Sequence, residues 1–197
     1  MKYHKMGIFL EPGSKMVDNL MLQKAKFKKR PEKQSFINDP PHCTLLHGFY
    51  LDKNKLINKF NELDNFGSIE YKVKKTMIFK NDLEVGNQTL CYKISENEDI
   101  TSIQKLILGA LQPDMPSQFP NLDKKYSENL LKYRFPFVGQ DLIPHFSVSN
   151  IRLNSNNKFI QKFLAIDINV NEYFKSIFIG EIIDGSLKKI EERYFAL

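Results

Sequence analysis

Two of the chain's four histidines sit in the same short frame. The first frame reads P-P-H-C-T-L-L over residues 40–46, the second I-P-H-F-S-V-S over residues 143–149. Each puts a proline before the imidazole and a hydroxyl two residues after it. On a strand, residues two apart project to one face, roughly 6–7 Å from each other. His42 and Thr44 therefore share a face, with Cys43 and Leu45 turned away. His145, Ser147 and Ser149 line up likewise, with Phe146 and Val148 packed behind. Two imidazoles and two hydroxyls around one cavity suit phosphodiester chemistry without a metal. Imidazole titrates near ~6.5, so a neutral and a protonated copy coexist near neutral pH. The neutral ring takes a proton from an attacking water or ribose hydroxyl, and the protonated ring gives one to the leaving alkoxide. Thr44 and Ser147 donate to the non-bridging oxygens, where charge grows in the transition state. The sequence does not say which histidine is base and which is acid.

The elements that must carry these frames follow from local pattern. Residues 7–10 are a short apolar run closed by E-P-G, which predicts a strand. Residues 15–29 follow helical spacing through Met16, Leu20, Met21 and Ala25, with lysines on the other face. Residues 44–51 leave the first frame as a strand. Asp52 then caps a helix through about Leu63, with Leu56, Ile57, Phe60 and Leu63 on one face. The alternation in I-E-Y-K-V-K-K-T-M-I-F and the run N-Q-T-L-C-Y-K-I-S predict strands. Asp99 or Thr101 opens a helix reaching Leu111. Residues 113–140, with three prolines in P-D-M-P-S-Q-F-P, read as a long loop or lid holding one short helix. The second frame is a strand, 158–164 a short helix, and 174–184 a strand. Asp184-Gly185 turns into a last strand from 188 to the end. The frames begin 103 residues apart, which suggests a duplication.

A chain of 197 residues with 42% hydrophobic and 12% aromatic content buries one sizeable core or two small lobes sharing a cleft. The formal charge of +6 suits a phosphate-bearing ligand or nucleic acid, and equally a plain lysine-rich surface. Two cysteines, Cys43 and Cys91, are too few for a disulfide framework and read as reduced, buried thiols. No signal peptide or membrane span is evident, and a cytoplasmic protein is expected. His47, five residues after His42, faces the opposite way on a straight strand. Alternation also separates His42 from Cys43, which argues against a zinc site there. His4 lies near the terminus and is expected to be exposed. Before the second frame, Tyr133, Phe135 and Phe137 either stack a base or anchor the loop, and Arg134 is a candidate phosphate ligand.

The paired frames resemble the H-x-T/S signature of the two-histidine phosphoesterase superfamily, over most of the chain and in order. The resemblance implies a bilobal α+β domain over residues 1–197, with two antiparallel sheets forming a central cleft and helices outside. It implies catalytic His42 and His145, phosphate-binding Thr44 and Ser147, and no cofactor or metal. The expected substrate is a nucleotide or RNA-like oligonucleotide with a 2′,3′-cyclic phosphate, a 2′,5′ linkage or a cyclic backbone. The alternative is an RNA-binding module with the same cleft and little turnover.

Overall fold

The computed structural model describes residues 2–118 and 122–195. In chain order the elements are β1 (His4–Glu11), α1 (Ser14–Lys28), β2 (Gln34–Ser35), β3 (Cys43–Tyr50), α2 (Lys53–Asn61), β4 (Glu70–Lys80) and β5 (Gln88–Ile94). There follow α3 (Glu98–Leu111), β6 (Met115–Pro116), α4 (Ser127–Tyr133), β7 (His145–Ile151), α5 (Lys158–Leu164), β8 (Val170–Tyr173), β9 (Ser176–Ile183) and β10 (Ser186–Tyr194). The strands form two five-stranded sheets, β10-β9-β1-β3-β6 and β2-β7-β5-β4-β8, and every pairing is antiparallel. This is the expected α+β architecture.

The two frames take equivalent places. The first frame strand, β3, is flanked by β1 and by the two-residue edge strand β6; the second, β7, is flanked by β5 and by the two-residue edge strand β2. The chain also runs the same course twice with the sheets exchanged. β1 leads into α1, which packs on β7 and β8 of the other sheet; β5 leads into α3, which packs on β3 of the first sheet. Each helix delivers a short edge strand to the sheet it covers, β2 after α1 and β6 after α3.

α1 buries Met16, Leu20 and Phe27, but Met21 and Ala25, which the spacing placed on the same face, are exposed. Its first turn has no side-chain cap from Gly13; instead Glu172 of β8 accepts from the backbone N–H groups of Lys15 (3.0 Å) and Met16 (3.2 Å). A carboxylate suits the positive end of the helix. α2 starts at Asp52 as expected, with Oδ1 accepting from Lys55 N at 2.9 Å. α3 starts one cap earlier than expected: Asn97, not Asp99 or Thr101, accepts from Asp99 N and Ile100 N. The sequence pattern also misses β2, β6 and β8, each of four residues or fewer. Pro116 sits in β6 at a sheet edge, where a missing N–H is tolerated. Residues 119–121 of the proline-rich segment and 196–197 of the last expected strand lie outside the described residues. The core runs between the sheets through Leu46, Tyr71, Phe146 and Phe174, all nearly inaccessible. Cys43 and Cys91 are free and buried. Among the described residues no helix is long and apolar enough to cross a membrane.

Candidate active site

Each frame histidine is fixed by the residue that precedes its proline. His42 Nδ1 lies 2.7 Å from the Pro40 carbonyl and His145 Nδ1 lies 2.7 Å from the Ile143 carbonyl. A carbonyl only accepts, so Nδ1 carries the hydrogen in both rings and Nε2 is left with its lone pair. The intervening proline, Pro41 or Pro144, holds the residue before it extended and so aims that carbonyl. Both rings then meet a phenylalanine edge to face: Phe9 on His42 at 4.8 Å between centroids, Phe79 on His145 at 4.9 Å.

His42, Thr44, His145 and Ser147 line one cavity of about 560 Å³ between the sheets. That volume is in the range of small-molecule sites, on the order of 300–1,000 Å³. The structure thus brings four of the five expected site residues together. A proton on His145 disfavours a proton on His42. On the reverse face of β3, the Cys43 thiol lies against the backbone N–H of His145, and burial pushes that thiol up to about 12. Arg134 is not brought to the site. It ends α4 in the left-handed region (φ 54°) and donates from Nη1 to the Pro113 carbonyl at 2.7 Å, so it ties the 113–140 segment to itself. Phe135 and Phe137 line the cavity and also pack on one another at 5.7 Å.

Two β-bulges correct the strand alternation. In β3, Ile8 pairs with Leu46 and Phe9 with Thr44, so Leu45 is an extra residue. In β7, Leu90 pairs with Ser149 and Cys91 with Ser147, so Val148 is an extra residue. Both bulges fall three residues after the histidine. A bulge turns the following side chains by one step. His47 therefore faces the cavity beside His42 rather than away from it. Ser149 leaves the cavity face, where alternation placed it; it is buried and donates to Gln34 Oε1 at 2.8 Å. The one sequence signal was the consecutive pair Leu45-Leu46, which breaks the alternation in the first frame; the second has no such mark.

His47 belongs to a bridge across the cavity. Its Nδ1 is 2.8 Å from Ser117 Oγ and its Nε2 is 3.5 Å from Glu84 Oε2. Glu84, in the β4–β5 turn of the second sheet, also pairs with Lys5 of β1 at 2.6 Å. Asp82 shapes that turn, accepting from Glu84 N, Val85 N and Thr89 Oγ1. His4, expected to be exposed, is half-buried with Nδ1 2.9 Å from Glu181.

Burial sets the site's electrostatics. It lowers His42 to about 4, and the charges of Lys24, His145 and His47 act the same way, against the favourable Pro40 hydrogen bond. Burial lowers His145 too, opposed by the Ile143 hydrogen bond and by the Asp82 carboxylate. Lys24 of α1 is itself buried and pushed down to about 8. Its ammonium donates to the carbonyls of Phe36 (2.6 Å) and Asp39 (2.8 Å), holding the loop that enters the first frame. Among the described residues no group of three or more His, Cys, Asp or Glu side chains is placed to hold a metal ion.

No family model and no curated protein matches the chain. Solved structures do. TT0787 of Thermus thermophilus superposes with a TM-score of 0.63 at 12% identity, over 97% of this chain and 97% of that one. E. coli LigT complexed with 3′-AMP gives 0.58 at 5% identity over 100% of both chains. Usb1 of Kluyveromyces marxianus gives 0.53 at 11% identity, over 95% of this chain and 98% of that one. At such identities the likeness is one of fold, and over its whole described length this chain has the fold of the LigT-like two-histidine phosphoesterases.

Proposed function

We propose that the chain is a phosphodiesterase acting on ribose-linked phosphodiesters by two-histidine general acid–base catalysis. The observation that carries this reading is the twinned frame: two imidazoles with Nδ1 tied to a carbonyl, each with a hydroxyl beside it, lining one cavity. Binding alone requires no second titrating group, which favours an enzyme over an RNA-binding module. That LigT is a structural neighbour complexed with 3′-AMP supports a nucleotide as the ligand.

The surroundings support a division of roles. The Lys24 ammonium opposes a proton on His42, whereas the Asp82 carboxylate favours one on His145. His42 is then the base and His145 the acid. For a 2′,3′-cyclic phosphate, a water oxygen forms the new bond to phosphorus as its proton passes to His42 Nε2. The bond from phosphorus to one ribose oxygen breaks, and that oxygen takes the proton from His145 Nε2. The product is a ribose phosphomonoester with a free neighbouring hydroxyl. Thr44 and Ser147 hydroxyls donate to the non-bridging oxygens throughout.

The test is turnover of 2′,3′-cyclic nucleotides, 2′,5′-linked oligoadenylates and cyclic oligonucleotides by the wild type, His42→Ala and His145→Ala. Removing a positioned acid or base lowers the rate on the order of 10²–10⁴-fold, and both variants are expected to lose that much while unfolding cooperatively as the wild type does. Full activity in either variant rejects the assignment. Tight nucleotide binding by the wild type without product points to the binding module instead.

A further inference from the structure

The charges around the cavity run against those of the molecule. The chain carries a formal charge of +6. Yet the described cavity wall holds four carboxylates, Asp39, Asp82, Glu84 and Asp141, against two lysines, Lys5 and Lys80, and includes no arginine. The residues outside the description, Met1, 119–121 and 196–197, bear no charged side chain that could alter this balance. Lys5 is already paired with Glu84. Lys80 is exposed, at the end of β4. Lys24, whose charge reaches His42 from behind the wall, gives its ammonium to two backbone carbonyls. The remaining wall is dominated by apolar and aromatic side chains, among them Phe36, Ile78, Phe79, Phe137 and Leu142.

Resting on the phosphodiesterase reading, we propose that this cavity selects a compact phosphodiester whose only charge is the reacting phosphate. A nucleoside 2′,3′-cyclic phosphate with no other phosphate is such a compound. One negative charge is met by a protonated imidazole and two neutral hydroxyls. The uncharged nucleoside lies against aromatic faces, which bind any base by stacking. A second phosphate inside the same 560 Å³ finds the exposed ammonium of Lys80 outnumbered by the carboxylates of Asp39, Asp82 and Asp141, with Lys5 and Glu84 already paired. The Debye length is about 8 Å at physiological salt, and partly buried charges are screened less than exposed ones. The second phosphate is therefore repelled. The basic surface of the protein does not offset this, because its lysines lie on outer faces such as those of α1 and α2.

The experiment compares kcat/KM for adenosine 2′,3′-cyclic phosphate with that for the same compound carrying a 5′-monophosphate, at low and high salt. The expected result is at least a tenfold preference for the compound without the 5′-phosphate. That preference narrows at high salt and narrows severalfold in Asp141→Asn. Equal rates, or preference for the 5′-phosphorylated compound, overturn the proposal. So does a preference that neither salt nor Asp141→Asn diminishes, since its origin is then steric. Turnover of neither compound by folded protein defeats the phosphodiesterase reading alone. Competitive displacement of one compound by the other from the cavity then decides the charge preference by the same tenfold criterion.

Discussion

His42 and His145 are presented alike through Nδ1 yet differ in what surrounds them, and the difference predicts how rate depends on pH. A base is lost when protonated below its pKa; an acid is lost when deprotonated above its own. Both rings are held below the ordinary 6.5, His42 at about 4. Both limbs of the kcat/KM profile, which reports the free enzyme, therefore fall on the acid side of 6.5. The kcat profile is displaced upward, because a bound phosphate anion favours the charged form of both rings. A kcat/KM maximum above pH 7 contradicts this. The same shift acts on stability. Unfolded His42 binds a proton more readily than folded His42, so its contribution is whole above about 6.5 and is lost as pH falls toward 4. The ring that packs on His42 has its own requirement. Phe9 lies back over Gly7 and Gly180, which pair across β1 and β9. A Cβ on Gly7 would stand 2.3 Å from Phe9 Cζ and 2.8 Å from Cε2. Gly7→Ala must displace the phenyl ring that packs edge to face on His42. The expected effect is a fall in kcat on the order of 10–100-fold with KM nearly unchanged, measured on the substrate the wild type turns over best. A rise in KM alone would instead mean that Phe9 binds substrate without orienting the imidazole.

The bulges decide which side chains the frame strands show to the cavity, and one of them has a dedicated support. Gln104 of α3 is fully buried and donates from Nε2 to the bulged Leu45 carbonyl (2.9 Å) and to the Phe137 carbonyl (2.7 Å). Its Oε1 accepts from Gly139 N at 3.2 Å. One amide thus satisfies the bulge and pins the segment before the second frame over the cavity. Gln104→Met keeps the bulk and leaves buried carbonyls unpaired, at about 1–3 kcal/mol each. A loss of about 2–5 kcal/mol in denaturant unfolding is expected. A loss under about 1 kcal/mol would mean that water or a neighbour replaces the amide. This support marks the limit of what the sequence discloses. The helices α1, α2 and α5 and the long strands were legible because each buries one face, and a buried face imposes its period on the sequence. The paired frames were legible because the same Pro-His-x-hydroxyl pattern occurs twice. The bulges were not, apart from the Leu45-Leu46 doublet, because an inserted residue costs the pattern only one step. His47, Ser149 and Arg134 were misplaced for that kind of reason: a bulge redirected the first two, and a left-handed helix end turned the third to a backbone carbonyl. Lys24 and Glu84 reach the site through tertiary contacts that no local spacing encodes.

The exchange of helices between the sheets bears on how the whole molecule holds its two rings in place. α1 follows β1 of one sheet but packs on β7 and β8 of the other, where Glu172 caps it; α3 follows β5 and packs back on β3. Glu84 then joins the β4–β5 turn to Lys5 and His47 of the opposite sheet. Each sheet packs against a helix drawn from the strand order of the other. The chain is therefore expected to fold as one unit despite its two lobes, and the cleft is not expected to hinge by independent unfolding of a sheet. Amide exchange in β1 and β5, the central strands of the two sheets, measures this. Slowly exchanging amides in both strands should report one global opening with a single free energy and a common dependence on denaturant, as in a two-state domain. Two separate opening energies would mean that each lobe is stable alone and that the distance between His42 and His145 is free to vary. In that case single-sheet opening would expose the paired imidazoles to water, and their depressed pKa values would move back toward about 6.5 under the same mild denaturant that opens the weaker sheet.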